Sequence, residues 1–432
     1  MPSPAGPLRG FATGASLVVF GAVKAALVIA LSGALLVRPA AAAPVRHPLA
    51  PAVRTSTEPA APAIAQPIDL LTMGPGDRLF EVFGHAAICV GDPIHGSCFN
   101  YGVTDFQQSG MAIGFLRGKM PFYVEEIPYP RLLHYYRARD RDVWRQRLDL
   151  DLAGRQRIIA RLVHDAAPEN SRYPYDHFRA NCTSKVRDVI DEAAGGALRK
   201  QTEGEPSDET FRLRVRRGFG GRPPLQWLAD AIIGRTLDHL PSRWEAMFLP
   251  HLLRAEVAAL KVGGRPVAPF PAERIQLRKA PNDPIAGSPS AGHVFGLAVA
   301  LGLGLLCALG RRRGGWLERV ALGFSGVFLT FMGVAAWFVA LVSTSQDLRQ
   351  NEALSVLWPT DLLLVVAAAV GPARLGRLLR GYLVVRTVGS LTALIAIDVG
   401  ILHQPFEAWA LLVVCTCGVF ALVPPRSLPL RA

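Results

Sequence analysis

The chain has 432 residues, of which 50% are hydrophobic, and a mean hydropathy of +0.26. That composition excludes a largely disordered chain and leaves room for one sizeable globular domain together with a membrane part. The formal net charge of +13 does not indicate nucleic-acid binding, because no basic stripe interleaved with aromatic residues occurs. In a membrane protein, an excess of Lys and Arg usually orients the spans.

The N-terminal segment, residues 1–43, has the pattern of an export signal. Two basic residues precede an apolar run from Ala25 to Val37, and the small residues Ala41-Ala42-Ala43 follow as a cleavage site. We predict either a cleaved signal peptide or an uncleaved signal anchor, and both export the rest of the chain. Residues 44–66 are rich in Pro and Ala and are predicted to form an extended tether.

The first folded domain is predicted over residues 67–200. From Leu70 to Tyr101, short β-favouring runs are separated by Gly and Pro, which indicates a hairpin or meander. Apolar residues at helical spacing predict an amphipathic helix over residues 151–166. Residues 201–290 are predicted to be a helical extension that packs on the domain or on the membrane.

A second helix of this domain is predicted to begin at Cys182. Val186, Val189 and Ile190 share one helical face after it, and Asn181 before it is a favourable N-cap residue. Cys182 is therefore expected at the first turn of a helix.

Residues 291–425 contain five largely uncharged apolar runs, the third of them short. Their lengths bracket the roughly 20 residues that a membrane helix needs, so we predict five transmembrane helices, with four as the alternative. Arginines follow the first and third runs, whereas the connections after the second and fourth carry little positive charge. The positive-inside rule then predicts a multi-pass inner (cytoplasmic) membrane protein with its N-terminal soluble domain in the periplasm and a cytoplasmic tail at residues 426–432.

Three of the six cysteines lie outside the apolar runs, in a domain predicted to be in an oxidising compartment. Cys89 and Cys98 flank the Gly91 to Gly96 turn, at a spacing that allows a disulfide. Cys182 would then be unpaired. At the start of a helix the exposed amides lower the pKa of a thiol, so Cys182 is either a packing residue or a nucleophile.

A thiolate nucleophile needs an imidazole within hydrogen-bond reach and a third polar group to orient that imidazole. His85 is the candidate, because it stands at the entrance of a predicted strand, where a rigid sheet can aim its ring. Taken alone, a histidine at this place is more often a surface or packing residue.

Several motifs, in a specific order and spacing, resemble the family described as the Lnb N-terminal periplasmic domain. The motifs are Gly84-His85-Ala86-Ala87-Ile88, Asn100-Tyr101-Gly102, Tyr173-Pro174-Tyr175-Asp176-His177-Phe178 and Asn181-Cys182-Thr183-Ser184-Lys185-Val186-Arg187-Asp188. The family is in turn similar to the circularly permuted NlpC and papain-like superfamily, which includes lecithin:retinol acyltransferase-like enzymes. The resemblance implies an α+β permuted papain-like domain, with the cysteine helix packed against an antiparallel sheet or small barrel, followed here by an all-α transmembrane bundle.

The resemblance also implies roles for site residues. Cys182 would be the nucleophile and His85 its base. Asn100 would orient the imidazole, with His95 in the preceding turn as the alternative. The backbone amides of Cys182 and Thr183 are candidates for binding an oxyanion.

Two further aromatic residues, Tyr173 and Tyr175, are candidates for lining a substrate cleft, although aromatics before a buried helix also serve as core. No metal or cofactor is expected, since no cluster with ligand spacing occurs.

These observations predict a membrane-tethered periplasmic thiol hydrolase or acyl transferase that acts on an amide, ester or thioester of the cell envelope. Its expected partners are the lipid bilayer and an envelope substrate, either a peptidoglycan peptide, a lipid or a lipoprotein; the sequence identifies no protein partner. The alternative is a non-catalytic binding or assembly module anchored by the helical membrane domain, with Trp227 or Trp244 in its recognition surface.

Overall fold

The computed structural model describes residues 65–104, 111–118, 120–279 and 287–424. The predicted signal segment, most of the tether and the predicted tail at 426–432 lie outside these residues.

The N-terminal region is an α+β domain with a helical extension. Its elements are β1 Ile68–Met73, β2 His85–Val90, β3 Ser97–Val103, α1 Met111–Leu116, β4 Pro121–Pro128, α2 Tyr129–Ala138, β5 Val143–Leu148, α3 Leu152–Ala166, β6 Arg172–Pro174, α4 Cys182–Ala193, α5 Ala197–Thr202, α6 Phe211–Gly218, α7 Pro223–Ile232, α8 Arg243–Ala246, α9 Pro250–Ala259, β7 Lys261–Val262, β8 Arg265–Pro266 and β9 Glu273–Gln276.

The C-terminal region is helical. Its elements are α10 Ala291–Arg313, α11 Gly315–Val342, α12 Gln346–Arg349, α13 Leu362–Val370, α14 Pro372–Asp398, α15 Glu407–Val413, a π-helical turn at Val414–Gly418 and α16 Val419–Leu422.

Seven strands form one antiparallel sheet in the order β6-β4-β3-β2-β1-β5-β9. Strand side chains alternate between the two faces, and both faces of the central strands are covered. On one face, Ile68, Leu70 and Ile88 pack with apolar residues of α3 and α4. On the other face, Leu71 and Ala87 pack with residues of α2. The central strand β1 is therefore buried along its whole length.

The β2–β3 hairpin carries the disulfide-forming pair. Cys89 and Cys98 lie directly opposite each other in the two strands and are joined by a disulfide. The turn between them needs glycine at Gly91, which has a φ of +96° and where a Cβ would lie 2.7 Å from the Cα of Gly96. The connection is short, so the register of β2 against β3 is set locally.

The extension after residue 200 is not purely helical, because β9 joins the edge of the main sheet next to β5. An Arg145 to Glu273 ion pair at 2.5 Å and the packing of Arg274 over Trp144 accompany this pairing. A short, highly charged edge strand has no apolar periodicity, which explains why the sequence pattern did not indicate it.

Helix α7 of the extension docks into the membrane part of the chain. Gly292 and Gly296 of α10 permit this close approach, since a side chain at either position would collide with α7. The Trp227 ring of α7 stacks on Trp409 with ring centroids 3.9 Å apart, and Trp409 Nε1 donates a hydrogen bond to the Trp227 carbonyl. The extension and the bundle thus share one apolar core.

Among the described residues, three helices are long and apolar enough to cross a membrane, namely α10, α11 and α14. The pair Gln346–Ser355 and Pro359–Val370 passes the same test only as one span bent by 44°, and Glu407–Leu422 is apolar but shorter. Pro359 and Gly371, with a φ of +99°, limit the third apolar run. The α+β region followed by a helical membrane-type region is therefore confirmed, and a count of five spans remains a prediction.

A buried ion pair lies inside the bundle. The Arg386 guanidinium donates to both carboxylate oxygens of Asp361, at 2.8 and 2.7 Å, and to the Val356 carbonyl. Tyr382 donates a further hydrogen bond to Asp361. Because each charge is matched by the other and by hydrogen bonds, the pair can persist in an apolar environment.

Candidate active site

Helix α4 begins at Cys182, and Asn181 fixes that start. The Asn181 side chain accepts a hydrogen bond from the Ser184 amide, and the Ser184 hydroxyl accepts one from the Asn181 amide, both at 2.8 Å. The side-chain nitrogen of Asn181, Nδ2, also donates hydrogen bonds to the backbone carbonyls of His177 and Phe248, each at 2.9 Å. The capping box and these two additional hydrogen bonds together set the position of the Cys182 thiol, which follows Asn181.

His85 stands at the first position of β2. The preceding Gly84 has a φ of +81°, and a side chain there would meet the Met73 carbonyl and Pro250. Only glycine suits this turn without strain. The turn and the strand together fix where the imidazole lies.

The third polar group at the site is Asn100, on the neighbouring strand β3. His85 Nε2 lies 2.5 Å from Asn100 Oδ1, so Nε2 donates the proton of this hydrogen bond and Nδ1 remains for the thiol. His95, the alternative, does not reach the site: it lies in the exposed turn between β2 and β3, with its Nδ1 3.4 Å from Asp92. The turn residues project away from the end of the sheet at which His85 lies.

Cys182 and His85 line the same pocket, and each shifts the pKa of the other through its charge and side chain. Burial by itself raises the pKa of the Cys182 thiol, but the charge and hydrogen bond of His85, with smaller contributions from Thr183 and the Ala86 backbone, lower that pKa to about 7. Burial lowers the pKa of His85, yet the interactions with Cys182 and Asn100 outweigh burial and raise it. The pair therefore favours thiolate beside imidazolium near neutral pH.

A pocket of about 80 Å³ opens beside the half-buried thiol. Tyr175 forms part of its wall and stacks on Phe122 with ring centroids 4.0 Å apart. Gly102 forms another part, with a φ of +80°; a Cβ there would lie 3.1 Å from the Cβ of Cys182. The absence of a side chain at Gly102 keeps space in front of the sulfur.

Tyr173 and Thr183 have different places. Thr183 lines the pocket and its hydroxyl lies 3.7 Å from the Cys182 sulfur. The hydroxyl of Tyr173 is buried and lies 3.6 Å from the place that a Cβ of Gly102 would occupy, and the Lys185 ammonium lies 5.0 Å from the centroid of the Tyr173 ring. Tyr175 thus lines the pocket, whereas Tyr173 packs against the domain core next to it.

The sequence reasoning did not assign two residues near the site. His177 lines the pocket, and burial lowers the pKa of its ring, which contacts Phe83 edge to face at 5.0 Å. Glu125 on β4 is the cross-strand partner of Asn100; burial raises the pKa of its carboxyl to about 7. His177 belongs to the Tyr173 to Phe178 motif, but that motif does not indicate a role for its ring; Glu125 lies in no such motif, so only the fold reveals it.

Residues 63–216 match the family model described as Lnb N-terminal periplasmic domain. No curated protein and no solved structure matches the chain. The matched segment contains Cys182, His85 and Asn100 and ends before the membrane-type helices, so the chain is a membrane protein with a periplasmic N-terminal domain. The resemblance to the Lnb N-terminal periplasmic domain that was predicted from the sequence is therefore confirmed over residues 63–216.

Proposed function

We propose that this protein is a membrane-tethered periplasmic thiol hydrolase or acyl transferase with a permuted papain-like site, acting on an amide, ester or thioester of the cell envelope. The observation that carries the proposal is the pairing of Cys182 and His85 in one pocket, where each shifts the pKa of the other, with Asn100 hydrogen-bonded to Nε2 of the imidazole. The pKa of about 7 for the thiol places half of it in the nucleophilic form at neutral pH.

In the first half of the reaction, the Cys182 thiolate attacks the carbonyl carbon and a carbon–sulfur bond forms. The oxyanion that develops is bound by the first N–H groups of α4, at Cys182 and Thr183, which have no intrahelical partners by helix geometry. The His85 imidazolium then protonates the departing amine, alcohol or thiol, leaving an acyl group on the sulfur.

In the second half, neutral His85 takes a proton from water or from an acceptor amine or hydroxyl, which attacks the thioester. The carbon–sulfur bond breaks, the thiolate returns and His85 is again protonated. Water as the acceptor gives a hydrolase, and any other acceptor gives an acyl transferase. Asn100 keeps Nδ1 of the imidazole directed at the sulfur throughout.

The chain order supports the permuted papain-like part of the proposal. The strand that carries His85 precedes the helix that carries Cys182, and this helix packs on the antiparallel sheet next to β2 and β3. The helical membrane-type region comes after this domain in the chain. That order supports a site that is anchored at the membrane.

The placement of charge supports a multi-pass protein of the inner membrane. Arg311, Arg312 and Arg313 end α10, whereas the other end of that helix packs on α7 of the periplasmic domain. The positive-inside rule places the arginine end in the cytoplasm. The amide of Thr344, just after α11, donates to the Leu116 carbonyl of α1, so the domain rests against the periplasmic end of the bundle.

A second cavity, of about 270 Å³ and mainly apolar, lies next to the pocket of the thiol, and both share Phe83 and Gly84 in their walls. Three arginines and one glutamate line it as well, Arg214, Arg217, Arg254 and Glu209. Among the predicted substrates, this surface suits one with an apolar portion, a lipid or lipoprotein, better than a peptidoglycan peptide.

Alkylation of the full chain in detergent tests the activated thiol without knowledge of the substrate. Iodoacetamide labelling of Cys182, followed by mass spectrometry of its peptide, should be half-maximal near pH 7 in the wild type. The variant His85→Ala should shift the midpoint toward about 8.5, the ordinary value for a cysteine. A wild-type midpoint already at the ordinary value, unmoved by His85→Ala, would overturn the proposal.

The alternative hypothesis is a non-catalytic binding module with Trp227 or Trp244 in its recognition surface. Both side chains are buried, Trp227 against the bundle and Trp244 in the domain core. They are accordingly packing residues, and their substitution tests folding, not recognition.

A further inference from the structure

We propose that Asp347, in the short helix α12 of the loop segment after membrane helix α11, is a positioning residue for the thiol site, acting through Arg179. The inference rests on the proposed function and assigns the membrane part a role beyond anchoring. The loop would hold the turn that precedes Cys182, so that the geometry of the nucleophile depends on the bundle.

Asp347 is buried, and both its carboxylate and its backbone carbonyl are held by residues of the N-terminal domain and its extension. Its two carboxylate oxygens accept hydrogen bonds from the two terminal nitrogens of Arg179, one of them at 3.1 Å. Thr236 donates to the same carboxylate at 2.6 Å. The backbone carbonyl of Asp347 accepts from the Gly234 amide, also at 2.6 Å. A two-pronged contact of this kind fixes orientation as well as distance.

Arg179 belongs to a tight turn that ends at the nucleophile. Asp176 accepts hydrogen bonds from the amides of Phe178 and Arg179 at 2.9 and 2.8 Å, and the Ala180 amide donates to the Asp176 carbonyl at 3.0 Å. The next residue is the helix cap Asn181. Within this turn the side chain of Arg179 reaches outward to the bundle.

The same turn carries two of the groups that shape the site. His177 lines the pocket, and its carbonyl accepts the hydrogen bond of the Asn181 side chain. A displacement of the turn therefore moves the pocket wall and the helix cap together. Cys182, the first residue of α4, follows the cap.

The loop that carries Asp347 is itself held firmly. Asn351 donates to the Ala231 carbonyl at 2.8 Å, and Gln404 donates to the Asp230 carbonyl at 2.8 Å and to Asn351 at 3.0 Å. These side chains satisfy carbonyls at the end of α7, which lack partners within the helix. The segment that contains Asp347 is thus fixed by hydrogen bonds between the helical bundle and the extension.

The test uses the full chain in detergent and the pH dependence of Cys182 alkylation by iodoacetamide. We expect Arg179→Gln and Asp347→Asn each to raise the midpoint by about one pH unit, which lowers the rate at pH 7 roughly fivefold. The double variant should be no slower than either single one, because both remove the same contact. Arg179→Gln alters a half-exposed side chain and should fold even if Asp347→Asn does not.

The matched control is Arg235→Gln, which removes another ion pair between the extension and the same stretch of the membrane part, Arg235 with Glu352 at 3.4 Å. It does not touch the turn, so its alkylation midpoint should equal that of the wild type even if its melting temperature falls. An equal shift in the control would show a general loss of stability and overturn the positioning role.

Two further outcomes separate this inference from the proposed function. If the wild-type thiol is activated in a His85-dependent way but Arg179→Gln titrates as the wild type does, the positioning role is refuted and the proposed function stands. If the wild-type thiol titrates as an ordinary cysteine, both are refuted.

Discussion

Replacement of the helix cap, Asn181→Ala, should loosen the start of α4 more than the loss of an ordinary cap does. The substitution removes the acceptor for the Ser184 amide, which costs about 1 kcal/mol. It also removes the donors to the His177 and Phe248 carbonyls, and each lost hydrogen bond costs about a further 1 kcal/mol. The total is about 3 kcal/mol of local stability, or roughly a hundredfold in an opening equilibrium.

Hydrogen exchange of the amides in the first turn of α4, followed by mass spectrometry of the full chain, measures this opening directly. Asn181→Ser should recover the cap but not the two ties, so its exchange should be slower than that of Asn181→Ala by about fivefold. Asp151→Ala is the matched control: Asp151 caps α3 by accepting from Gly154 at 2.7 Å, and its loss should leave exchange in α4 unchanged.

The reasoning would be refuted if Asn181→Ala accelerated exchange by less than tenfold, or if Ser and Ala variants exchanged alike. The first result would mean that the ties to His177 and Phe248 contribute little. The second would mean that the cap contributes little. Either way, the thiol would be positioned by the sheet and not by the helix start.

Three other predictions concern the surroundings of the thiol. Gly102→Ala should slow alkylation of Cys182 several-fold even at pH 9, where ionisation is no longer limiting, because the new Cβ is strained at a φ of +80° and approaches the sulfur side chain; an unchanged rate would contradict the space argument. A raised pKa for Glu125 means that the folded state binds this proton more tightly than the unfolded state, so stability is lost as the pH rises from about 4.5 to about 7. Glu125→Gln should therefore show a smaller fall in melting temperature between pH 5 and pH 8 than the wild type, and an identical fall would count against it. Replacing both Cys89 and Cys98 by Ala should cost about 2 to 3 kcal/mol and abolish any effect of reductant on the melting temperature; continued sensitivity would locate that effect elsewhere.

Several features of the site follow from local sequence alone. Asn181 is a strong cap residue, and Val186, Val189 and Ile190 repeat at helical spacing after it, so the helix start at Cys182 is encoded within ten residues. The hairpin of β2 and β3 is similarly local, because glycine-rich turn residues separate two β-favouring runs. The family resemblance, not periodicity, joined His85 to Cys182.

Other features depended on contacts between distant parts of the chain. Asn100 and His95 are both close to His85 in sequence, and only the register of β3 against β2 places Asn100 beside the imidazole. Arg179 and Asp347 are 168 positions apart, and nothing near either residue specifies the other.

The sequence by itself thus determined a domain that matches a known family, a helical membrane-type part and a thiol at a helix start, because apolar periodicity and capping are short-range signals. The tertiary structure decided the third site residue, the partner of Arg386 in the bundle, the edge strand β9 and the tie from Asp347 to the turn before Cys182. These features depend on which surfaces pack together. The sequence around a side chain does not specify the distant residue with which it forms a hydrogen bond or an ion pair.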